Sequence, residues 1–374
     1  MSVVYKKLEE VCEILDSQRI PITAKDRKVG QYPYYGANGL QDYVAEYIFD
    51  DELVLLAEDG GNFGSTDRPI AYRVSGKCWV NNHAHVLKAK PCIDIDYLGY
   101  SLMFYDTSGL VNGATRQKLT QAAMREMKIP YRNSDEQKEI VRKIDGVFSL
   151  IEKSHLELHH LDQLVKSRFV EMFGESSGNP KGWNTIQLGR LSDVGSSKRV
   201  FVEELQIDGI PFYRGTEVGA LAEGQQITPE LYITEQHYRA LINATGAPVR
   251  GDLLMPSICS DGRIWLVDTD APFYFKDGRV LWIHPTSCEL DSCYLQHVLK
   301  EKIMTDYSSI ASGTTFAELK IFALKELRVM MPPLELQQQF AAFVAEVDKS
   351  KLAVKQSLEK LETRKKSLMQ QYFG

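Results

Sequence analysis

Residues 140–173 read IVRKIDGVFSLIEKSHLELHHLDQLVKSRFVEMF, and residues 340–373 read FAAFVAEVDKSKLAVKQSLEKLETRKKSLMQQYF. In both stretches large apolar residues recur at steps of four and three, which is the spacing of one helix face that packs against another helix. We name these apolar positions the seam residues: Ile140, Ile144, Val147, Ile151, Leu158, Leu161, Val165 and Met172, then Phe340, Val344, Val347, Val354, Leu358, Leu361, Leu368 and Tyr372. Because the second set begins and ends 200 residues after the first, the sequence predicts two copies of one long helix.

The two predicted helices could pair within the chain, join two chains, or serve only as packing elements. An internal antiparallel pair is favoured because both seams share one register in one chain. Charged Lys351 and Lys365 interrupt only the second seam. The sequence therefore predicts two long helices that form an antiparallel coiled coil.

The repeat extends beyond the helices, and short motifs recur in the same order in both halves. They are Phe173-Gly174 with Phe373-Gly374, Gly113-x-Thr115-x-x-x-Leu119 with Gly313-x-Thr315-x-x-x-Leu319, and Leu8, Val11 and Ile14 with Leu188, Leu191 and Val194. The first two matches are 200 residues apart and the third is 180 apart, so the second copy carries about twenty extra residues. A tandem repeat of this kind predicts pseudo-twofold symmetry and two similar surfaces for one partner.

Turn and breaker residues divide the chain into four predicted segments: a first arm over 1–132, a central helix over 133–175, a second arm over 176–333, and a C-terminal helix over 334–374. Ile129-Pro130 and Met331-Pro332-Pro333 precede the helices, and Ser134-Asp-Glu-Gln137 has the form of a capping box. Predicted strands in the arms are Glu52–Ala57, Trp79–Val86, Asp252–Met255 and Val280–Ile283. Strands in the arms beside long helices predict an α+β fold.

Composition narrows the class of protein. The chain has 374 residues, 44% of them hydrophobic, and a net charge of −6. Its apolar runs are far too short to span a bilayer, and Met1–Glu10 carries charges where a secretory signal needs an apolar stretch. The six cysteines form no CxxC pair and are expected to be small core residues in a reducing compartment. We therefore expect a cytoplasmic protein.

Motifs of enzyme chemistry are missing from the sequence. It contains no GxxxxGK(S/T) phosphate loop, no GxGxxG after a strand, and no (D/N/S)PP(Y/F/W) motif of amino-methyltransferases. His83-x-His85 has a spacing that can hold a metal, but no carboxylate or cysteine follows at a ligand-like interval, so strand histidines bonded to neighbours are favoured. We predict neither catalytic residues nor a metal site.

Polar turns rich in glycine recur at corresponding places in both arms. Glycine lets a backbone approach closely, hydroxyls and lysines can bind phosphates, and Arg, Asn and Gln can pair with base edges. Each turn alone could be an ordinary polar loop, and their recurrence favours DNA recognition. The candidate DNA-binding residues are Asn62, Ser65, Arg68, Asn81, Asn82, His83, Thr115, Arg116, Lys118, Ser257, Ser260, Arg263, Lys276, Arg279, Thr314 and Thr315.

Taken together, these motifs resemble the specificity subunit of type I restriction-modification systems. The resemblance covers essentially the whole chain. It rests on the tandem plan, the Trp79–Val86 stretch, the Gly-x-Thr turns, the helix starts Glu136–Asp145 and Gln337–Ser350, and the Phe-Gly endings.

The resemblance implies that the arms are two mixed α/β target-recognition domains in tandem, each binding one half of a bipartite, asymmetric site in double-stranded DNA. The helices would fix the spacer between the half-sites and dock two methyltransferase subunits. S-adenosylmethionine, ATP and Mg would belong to those subunits and to a separate restriction and translocase subunit, and this chain would bind no cofactor. The resemblance also implies a bacterial or archaeal cytoplasm.

Two other functions stay open at this point. The chain could be a protein-interaction scaffold that joins partners through its helices without binding DNA. A self-contained methyltransferase or nuclease is disfavoured by the missing motifs. Salt-dependent binding to duplex DNA separates the first alternative from the specificity subunit, because phosphate-driven association weakens steeply with salt.

Overall fold

The computed structural model describes residues 4–113, 116–176, 178–313 and 317–374. The chain forms two compact units. Unit 1 comprises Met1–Glu157 and Ala353–Gly374, and unit 2 comprises Leu158–Leu352. The two long helices are therefore shared, because each unit contains one part of each helix. The four segments expected from the sequence stay a prediction about target-recognition domains.

Unit 1 alternates short strands and helices before the first long helix. In chain order its elements are β1 (Val4–Lys7), α1 (Leu8–Val11), β2 (Cys12–Ile14), β3 (Val29–Gly36), β4 (Gly39–Val44), β5 (Phe49–Ala57), β6 (Ala71–Val80), β7 (Ala84–Ala89), α2 (Ile95–Met103), β8 (Val111–Asn112), β9 (Lys118–Leu119), α3 (Gln121–Glu126), β10 (Lys128–Tyr131) and α4 (Ser134–Phe173). A 3-10 turn at Asp16–Gln18 follows β2.

A six-stranded sheet in the order β2-β7-β5-β6-β3-β4 forms the centre of unit 1. Leu53–Ala57 of β5 is completely buried. Alternate side chains face different cores: Leu53 and Leu55 pack in one cluster, while Val54 and Leu56 pack in another with α2 and α4. Burial of both faces explains the unbroken apolar run. The predicted strand at Glu52–Ala57 is confirmed.

Unit 2 repeats the plan with additional helices. Its elements are β11 (Thr185–Gln187), α5 (Leu188–Leu191), β12 (Ser192–Gly195), β13 (Ile210–Tyr213), α6 (Gly215–Ala222), β14 (Tyr232–Ile233), α7 (Glu235–Thr245), β15 (Leu253–Pro256), β16 (Trp265–Leu266), β17 (Tyr274–Phe275), β18 (Val280–Pro285), α8 (Ser292–Ile310), β19 (Ala311–Ser312), β20 (Glu318–Leu319), α9 (Ile321–Glu326), β21 (Arg328–Met330) and α10 (Leu334–Phe373). A 3-10 turn at Val202–Glu204 precedes β13.

The sheets of unit 2 show which elements correspond. The order β12-β18-β15-β16 corresponds to β2-β7-β5-β6 of unit 1, and a second sheet has the order β14-β13-β17. The amide of Leu119 donates to the carbonyl of Glu58, and the amide of Leu319 donates to that of Ser257, both at 2.8 Å. Glu58 and Ser257 are therefore equivalent positions, 199 residues apart. The extra residues of the second copy lie before β15, where α6, β14 and α7 form.

The two long helices run antiparallel within each unit. In unit 1, Tyr372 of α10 lies beside Arg132, just before α4, and Lys365, two turns earlier, lies 5.6 Å from the Phe148 ring. In unit 2, Phe340 contacts Phe173 and Lys351 pairs with Asp162 at 2.8 Å. All seam residues are buried or partly buried. The two lysines that interrupt the second seam are thus accommodated by an acidic and an aromatic side chain of α4.

Three expectations about local structure are wrong. Trp79–Val86 is not one strand, because β6 ends at Val80 and β7 begins at Ala84 after a turn. The capping box of α4 starts one residue earlier than expected: Asn133 and Glu136 bond each other's backbone amides at 3.0 and 3.3 Å. Cys92 and Cys288 are exposed, since both lie in loops ahead of α2 and α8.

In the described parts of the chain, no helix is both long and apolar enough to cross a membrane. Helices and mostly antiparallel sheets occur in both units. The predicted α+β class is confirmed.

Candidate functional site

Three turns of unit 1 that are distant in sequence meet at one end of the central strands β5, β6 and β7. They are the turn after β5 at 58–62, the turn between β6 and β7 at 81–83, and the β8–β9 hairpin near 116–118. Backbone bonds join them: the amide of Gly60 donates to the carbonyl of Gln117, and the amide of Glu58 donates to that of His83. The structure thus brings His83, Arg116 and Lys118 together.

Arg116 lies at the centre of this cluster. Its Nε is 2.6 Å from Oδ1 of Asp59, and its Nη2 is 3.4 Å from Nδ1 of His83. Asp59 is also 3.5 Å from the His83 ring. The Arg116 side chain is 59% exposed, whereas that of Asp59 is 21% exposed. An exposed guanidinium is therefore held by a more buried carboxylate.

Lys118 is connected to a buried ion network beneath the hairpin. Its Nζ is 3.1 Å from Oε1 of Glu58, and Oε2 of Glu58 accepts a hydrogen bond from Arg19 at 2.6 Å. Burial alone would raise the pKa of Glu58, but the Arg19 hydrogen bond, the charge of His85 and the Lys118 hydrogen bond hold that pKa below its usual value. The Lys118 ammonium group is therefore already paired with a carboxylate, and this pairing opposes binding of another anion.

His85 is the completely buried centre of the same network. Its Nδ1 lies 2.6 Å from Oδ2 of Asp16, and its Nε2 lies 2.9 Å from the carbonyl oxygen of Leu119. Both ring nitrogens of His85 thus face acceptor atoms, one a carboxylate oxygen and the other a carbonyl oxygen. Burial opposes ionisation of Asp16, but hydrogen bonds from His85, Val86 and Gln121 hold the pKa of Asp16 below its usual value.

The ligand atoms of Asp16, Glu58 and His85 lie within 4.8 Å of one another, a spacing that can hold a metal. Arg19 already bonds Glu58 and lies 3.5 Å from Asp16. Both ring nitrogens of His85 are likewise already in contact with protein oxygens, of Asp16 and of Leu119. This cluster is therefore better described as an ion-pair network that fixes the carbonyl of Leu119 and hence the hairpin.

Other candidate residues of unit 1 lie elsewhere or serve the loops themselves. Asn62 donates weakly to Pro69, at 3.4 Å, and the hydroxyl of Ser65 accepts from the amide of Arg68 at 2.9 Å. Arg68 is exposed in this loop and is not part of the Arg116 cluster. Asn81 is only 3% exposed, and its Oδ1 accepts from the amide of His83. Asn82 is exposed at the tip of that turn.

Unit 2 contains an open cleft of about 590 Å³. Four of the candidate residues line it: Ser257, Arg263, Lys276 and Arg279. Its apolar wall includes Val202, Leu205, Phe212, Leu231, Pro256 and Ile258. Ser260 is exposed nearby in sequence but does not line the cleft. The structure thus gathers residues from two separate turns, 257–263 and 276–279, at one apolar cleft with a cationic rim.

Acidic partners orient the cations of this cleft. Arg263 pairs with Asp261 at 2.7 Å, Arg279 pairs with Glu318, and Lys276 lies 3.7 Å from Asp277. The cleft is thus far from a purely cationic surface, which agrees with the net charge of −6. Affinity for an anionic polymer would have to come from hydrogen bonds and fit as well as from charge.

Ser257 has an unusual environment in the cleft. The residue is 2% exposed, and among the described residues its Oγ has no hydrogen-bond partner. A buried hydroxyl without a partner costs free energy unless something binds it. Ser257 is equivalent to Glu58, which is bonded to Arg19 and Lys118 in unit 1.

Arg214, which is not among the residues predicted from the sequence, also lines the cleft. It is the N-cap residue of α6 and bonds Glu217 through Nε at 3.1 Å and Glu230 through Nη2 at 2.9 Å. Burial opposes ionisation of Glu217, but Arg214 lowers the pKa of Glu217 to about 2. The Arg214-Gly-Thr216 sequence has the same mixture of residues as the chosen turns and could have indicated it. Thr115, Thr314 and Thr315 lie outside the described residues.

The family model of the type I restriction modification DNA specificity domain matches residues 2–160 and, a second time, residues 180–363. The chain belongs to this family. Within it, a Haemophilus influenzae protein that carries the name of a type I restriction enzyme specificity subunit is 29% identical over 347 residues, which cover 91% of this chain and 86% of that protein. The resemblance seen in the sequence is confirmed.

A further relative agrees with this chain in length, and a solved structure agrees with it in fold. The type I restriction enzyme MjaVIII specificity subunit of Methanocaldococcus jannaschii is 22% identical over 397 residues, covering 97% of this chain and 90% of that protein. The crystal structure of a type I restriction-modification S subunit from M. genitalium has a TM-score of 0.62 at 15% identity, covering 100% of this chain and 96% of that one. The latter likeness concerns the fold alone.

Proposed function

We propose that this specificity-family chain is the DNA sequence-recognition subunit of a type I restriction-modification complex. Each unit binds one part of a bipartite, asymmetric duplex site, unit 1 with the Arg116 cluster and unit 2 with the cleft. The chain itself carries out no catalysis and holds no cofactor. Methylation, with S-adenosylmethionine, and translocation and cleavage, with ATP and Mg, belong to partner subunits.

The convergence of the candidate residues of unit 2 carries this proposal. Ser257 and Arg263 lie in the loop between β15 and β16, Arg279 lies in the turn before β18, and all three line one cleft. Arginine side chains held by carboxylates present their remaining N–H groups in a fixed orientation, which suits contacts with base edges more than diffuse attraction to phosphates. An ordinary set of polar loops would not gather these residues around an unpartnered hydroxyl.

The long helices supply the second part of the proposal, the spacer and the docking of two methyltransferase subunits. Outside the seam, α4 exposes about half of the side chains of Leu150, Leu156 and Leu164. Exposed leucines on a helix whose seam is already covered are suited to another apolar surface. The proposed partners therefore bind faces of the helices that the seam does not use.

Binding of the full chain to bipartite duplexes at several salt concentrations tests the proposal. Lys276→Ala and Arg279→Ala should each weaken binding, and each lost phosphate contact should reduce the salt slope by about 0.9. Arg239→Ala is a matched control, because Arg239 is an exposed cation of unit 2 that pairs with Glu235 and does not line the cleft.

A chain that binds its methyltransferase partners but no duplex at low salt would be the scaffold without DNA recognition, and the proposal would fail. Equal effects of Arg239→Ala and Arg279→Ala would place the DNA outside the cleft. Methyl transfer by the purified chain alone would instead identify it as an enzyme.

A further inference from the structure

The guanidinium of Arg116 is both exposed and fixed. Asp59 holds its Nε at 2.6 Å and His83 lies beside its Nη2 at 3.4 Å, while 59% of the side chain remains accessible. Among the residues that the structure describes, the polar contacts of this group are made through Nε and Nη2 on the side that faces the turn. The far edge of the guanidinium is therefore left to meet a ligand.

Two glycines with positive φ, Gly60 and Gly113, leave room for Arg116 in this position. Gly60 has φ +70°, and a Cβ there would lie 3.3 Å from Nε of Arg116. Asn38 fixes the carbonyl of Gly60 at 3.1 Å, and the amide of Gly60 is bonded to Gln117. Gly113, with φ +105°, avoids a contact of 2.3 Å with the carbonyl of Arg116. The turn and the hairpin thus hold the arginine in one position.

The carboxylate of Asp59 determines whether Arg116 favours a DNA phosphate or a base edge. The Arg116–Asp59 pair has no net charge, and a phosphate that bound Arg116 would also approach the Asp59 carboxylate and be repelled by it. The O6 and N7 atoms of guanine are neutral acceptors and match two parallel N–H donors of an arginine. The carboxylate therefore disfavours a phosphate and leaves a guanine edge favourable.

We propose that Arg116 is the residue with which unit 1 recognises a guanine in its half-site, and that Asp59 orients it. This inference rests on the proposed function, since it assigns a base to one residue of that interface. Arg116 is then the specificity-determining residue and Asp59 a positioning residue. Lys118, whose charge is already taken up by Glu58, contributes no comparable base preference.

Selection of bound duplexes from a pool with randomised half-sites, by the full chain at fixed salt, tests the inference. Arg116→Ala should reduce the preference for guanine at one position of one half-site by roughly 5- to 150-fold and leave other positions unchanged. Its salt slope should stay within about 0.3 of the unmodified chain, because no phosphate contact is lost. Arg116→Lys keeps the charge but replaces the planar pair of N–H donors by a flexible ammonium group, so the guanine preference should weaken although the charge is retained.

Asp59→Asn separates positioning from contact. The amide cannot neutralise Arg116, so the guanine preference should weaken while the salt slope steepens by up to about 0.9, as the released cation binds a phosphate. Lys276→Ala and Arg279→Ala of the unit 2 cleft serve as controls, and they should leave the guanine position of the first half-site unchanged. Thermal unfolding of each variant shows that the fold is retained, as expected for an exposed side chain.

Several outcomes would overturn the inference. Arg116→Ala could weaken all sequences equally and reduce the salt slope by about one, which identifies a phosphate contact. It could change nothing, which identifies an ordinary surface ion pair. Both results leave duplex binding by the full chain intact, so they differ from failure of the proposed function, in which no duplex is bound and the inference falls with it.

Discussion

Gln137 and Gln337, 200 residues apart, make the same set of buried hydrogen bonds in their two units. Oε1 of Gln137 accepts from the amide of Asp94 at 2.7 Å, and Oε1 of Gln337 accepts from that of Asp291 at 2.9 Å. In both, Nε2 donates to two carbonyls, one of them five residues earlier. Since Asp94 and Asp291 cap α2 and α8, each glutamine joins the start of a long helix to the start of a helix in its own unit.

Replacing either glutamine by an apolar residue should destabilise its unit. Gln337→Leu leaves the amide of Asp291 and two carbonyls without partners in a site that is completely buried, which costs about 1–3 kcal/mol. Gln338→Leu is a matched control in the same helix turn, because Gln338 is exposed and should change the free energy of unfolding by less than about 0.5 kcal/mol. Denaturant unfolding measures both, and equal effects would contradict the role given to Gln337.

The buried network of unit 1 should make that unit sensitive to acid. Asp16 and Glu58 have folded pKa values below their ordinary values, so their contribution to stability is fully present above the unfolded pKa of about 4 and is lost as pH falls through the folded pKa. Unit 2 has Leu281 at the position equivalent to His85, so β18 lacks this buried network among its described residues, and the acid-sensitive Glu217 of unit 2 lies in α6 instead. Hydrogen exchange between pH 7 and pH 3 should therefore show protection of β7 lost before that of β18.

Asp16→Ala tests the same network at neutral pH. It removes the carboxylate from the His85 ring, the Val86 amide and Gln121, and the loss of one member of a buried charged network costs about 3–5 kcal/mol. Asp193→Ala in unit 2 is the control, since Asp193 is an exposed aspartate on the edge strand β12. If both substitutions had the same small effect on the unfolding midpoint, the Asp16–His85 contact would not stabilise unit 1.

The sequence predicted the features that depend on local periodicity. The steps of four and three at Ile140, Ile144 and Val147 predicted a long helix, and the apolar run in β5 predicted a buried strand, because both patterns depend on neighbouring residues alone. The turn at 81–83 was missed because Trp79-Val80 and Ala84-His85 are both strand-forming, and only the side chain of Asn81 closes the chain between them.

The sequence indicated which kinds of residue lie in the candidate turns, but not which side chains form ion pairs with one another. The sequence indicated Arg116 and Lys118 as candidate DNA-binding residues, but nothing in it pairs the first with Asp59 and the second with Glu58. Such pairs depend on which loops the sheet brings together. The Arg19–Glu58 contact spans 39 residues, and no periodic pattern connects positions at that separation.

The unpartnered hydroxyl of Ser257 gives a test of the unit 2 cleft that is independent of charge. Ser257→Ala removes a group without a partner among the described residues, so the free energy of unfolding should change by less than about 0.5 kcal/mol or rise slightly. If duplex DNA supplies the missing partner, affinity should fall roughly 2- to 10-fold, as expected for one net hydrogen bond of about 0.5–1.5 kcal/mol.

Ser192→Ala is the control for this prediction. Ser192 is also 2% exposed with an unpartnered Oγ among the described residues, but it does not line the cleft. Equilibrium titrations with duplex should show a loss of affinity for Ser257→Ala only. A loss shared by both variants would reflect a general effect on unit 2, and no loss for either would place the bound DNA away from the floor of the cleft.

The proposed role of the helices in fixing the spacer is tested by lengthening both of them. One heptad inserted after Leu158 and one after Leu358 preserves the register of the seam and lengthens each helix by about 10 Å, at roughly 1.5 Å per residue. At about 3.4 Å per base pair, the preferred spacer between half-sites should increase by about three base pairs.

A spacer that is longer by three base pairs also rotates the second half-site around the DNA axis. The rotation is nearly a third of a helical turn of about 10.5 base pairs, and it opposes binding by both units at once. Affinity should therefore fall even as the preferred spacing shifts. A single insertion after Leu158 is the informative control, since it places the seam residues of the two helices out of step and should destabilise the pair without a defined new spacing. Duplexes with spacers of graded length measure the preference. A folded double insertion that still prefers the original spacer would show that the distance between half-sites is set by something other than these helices.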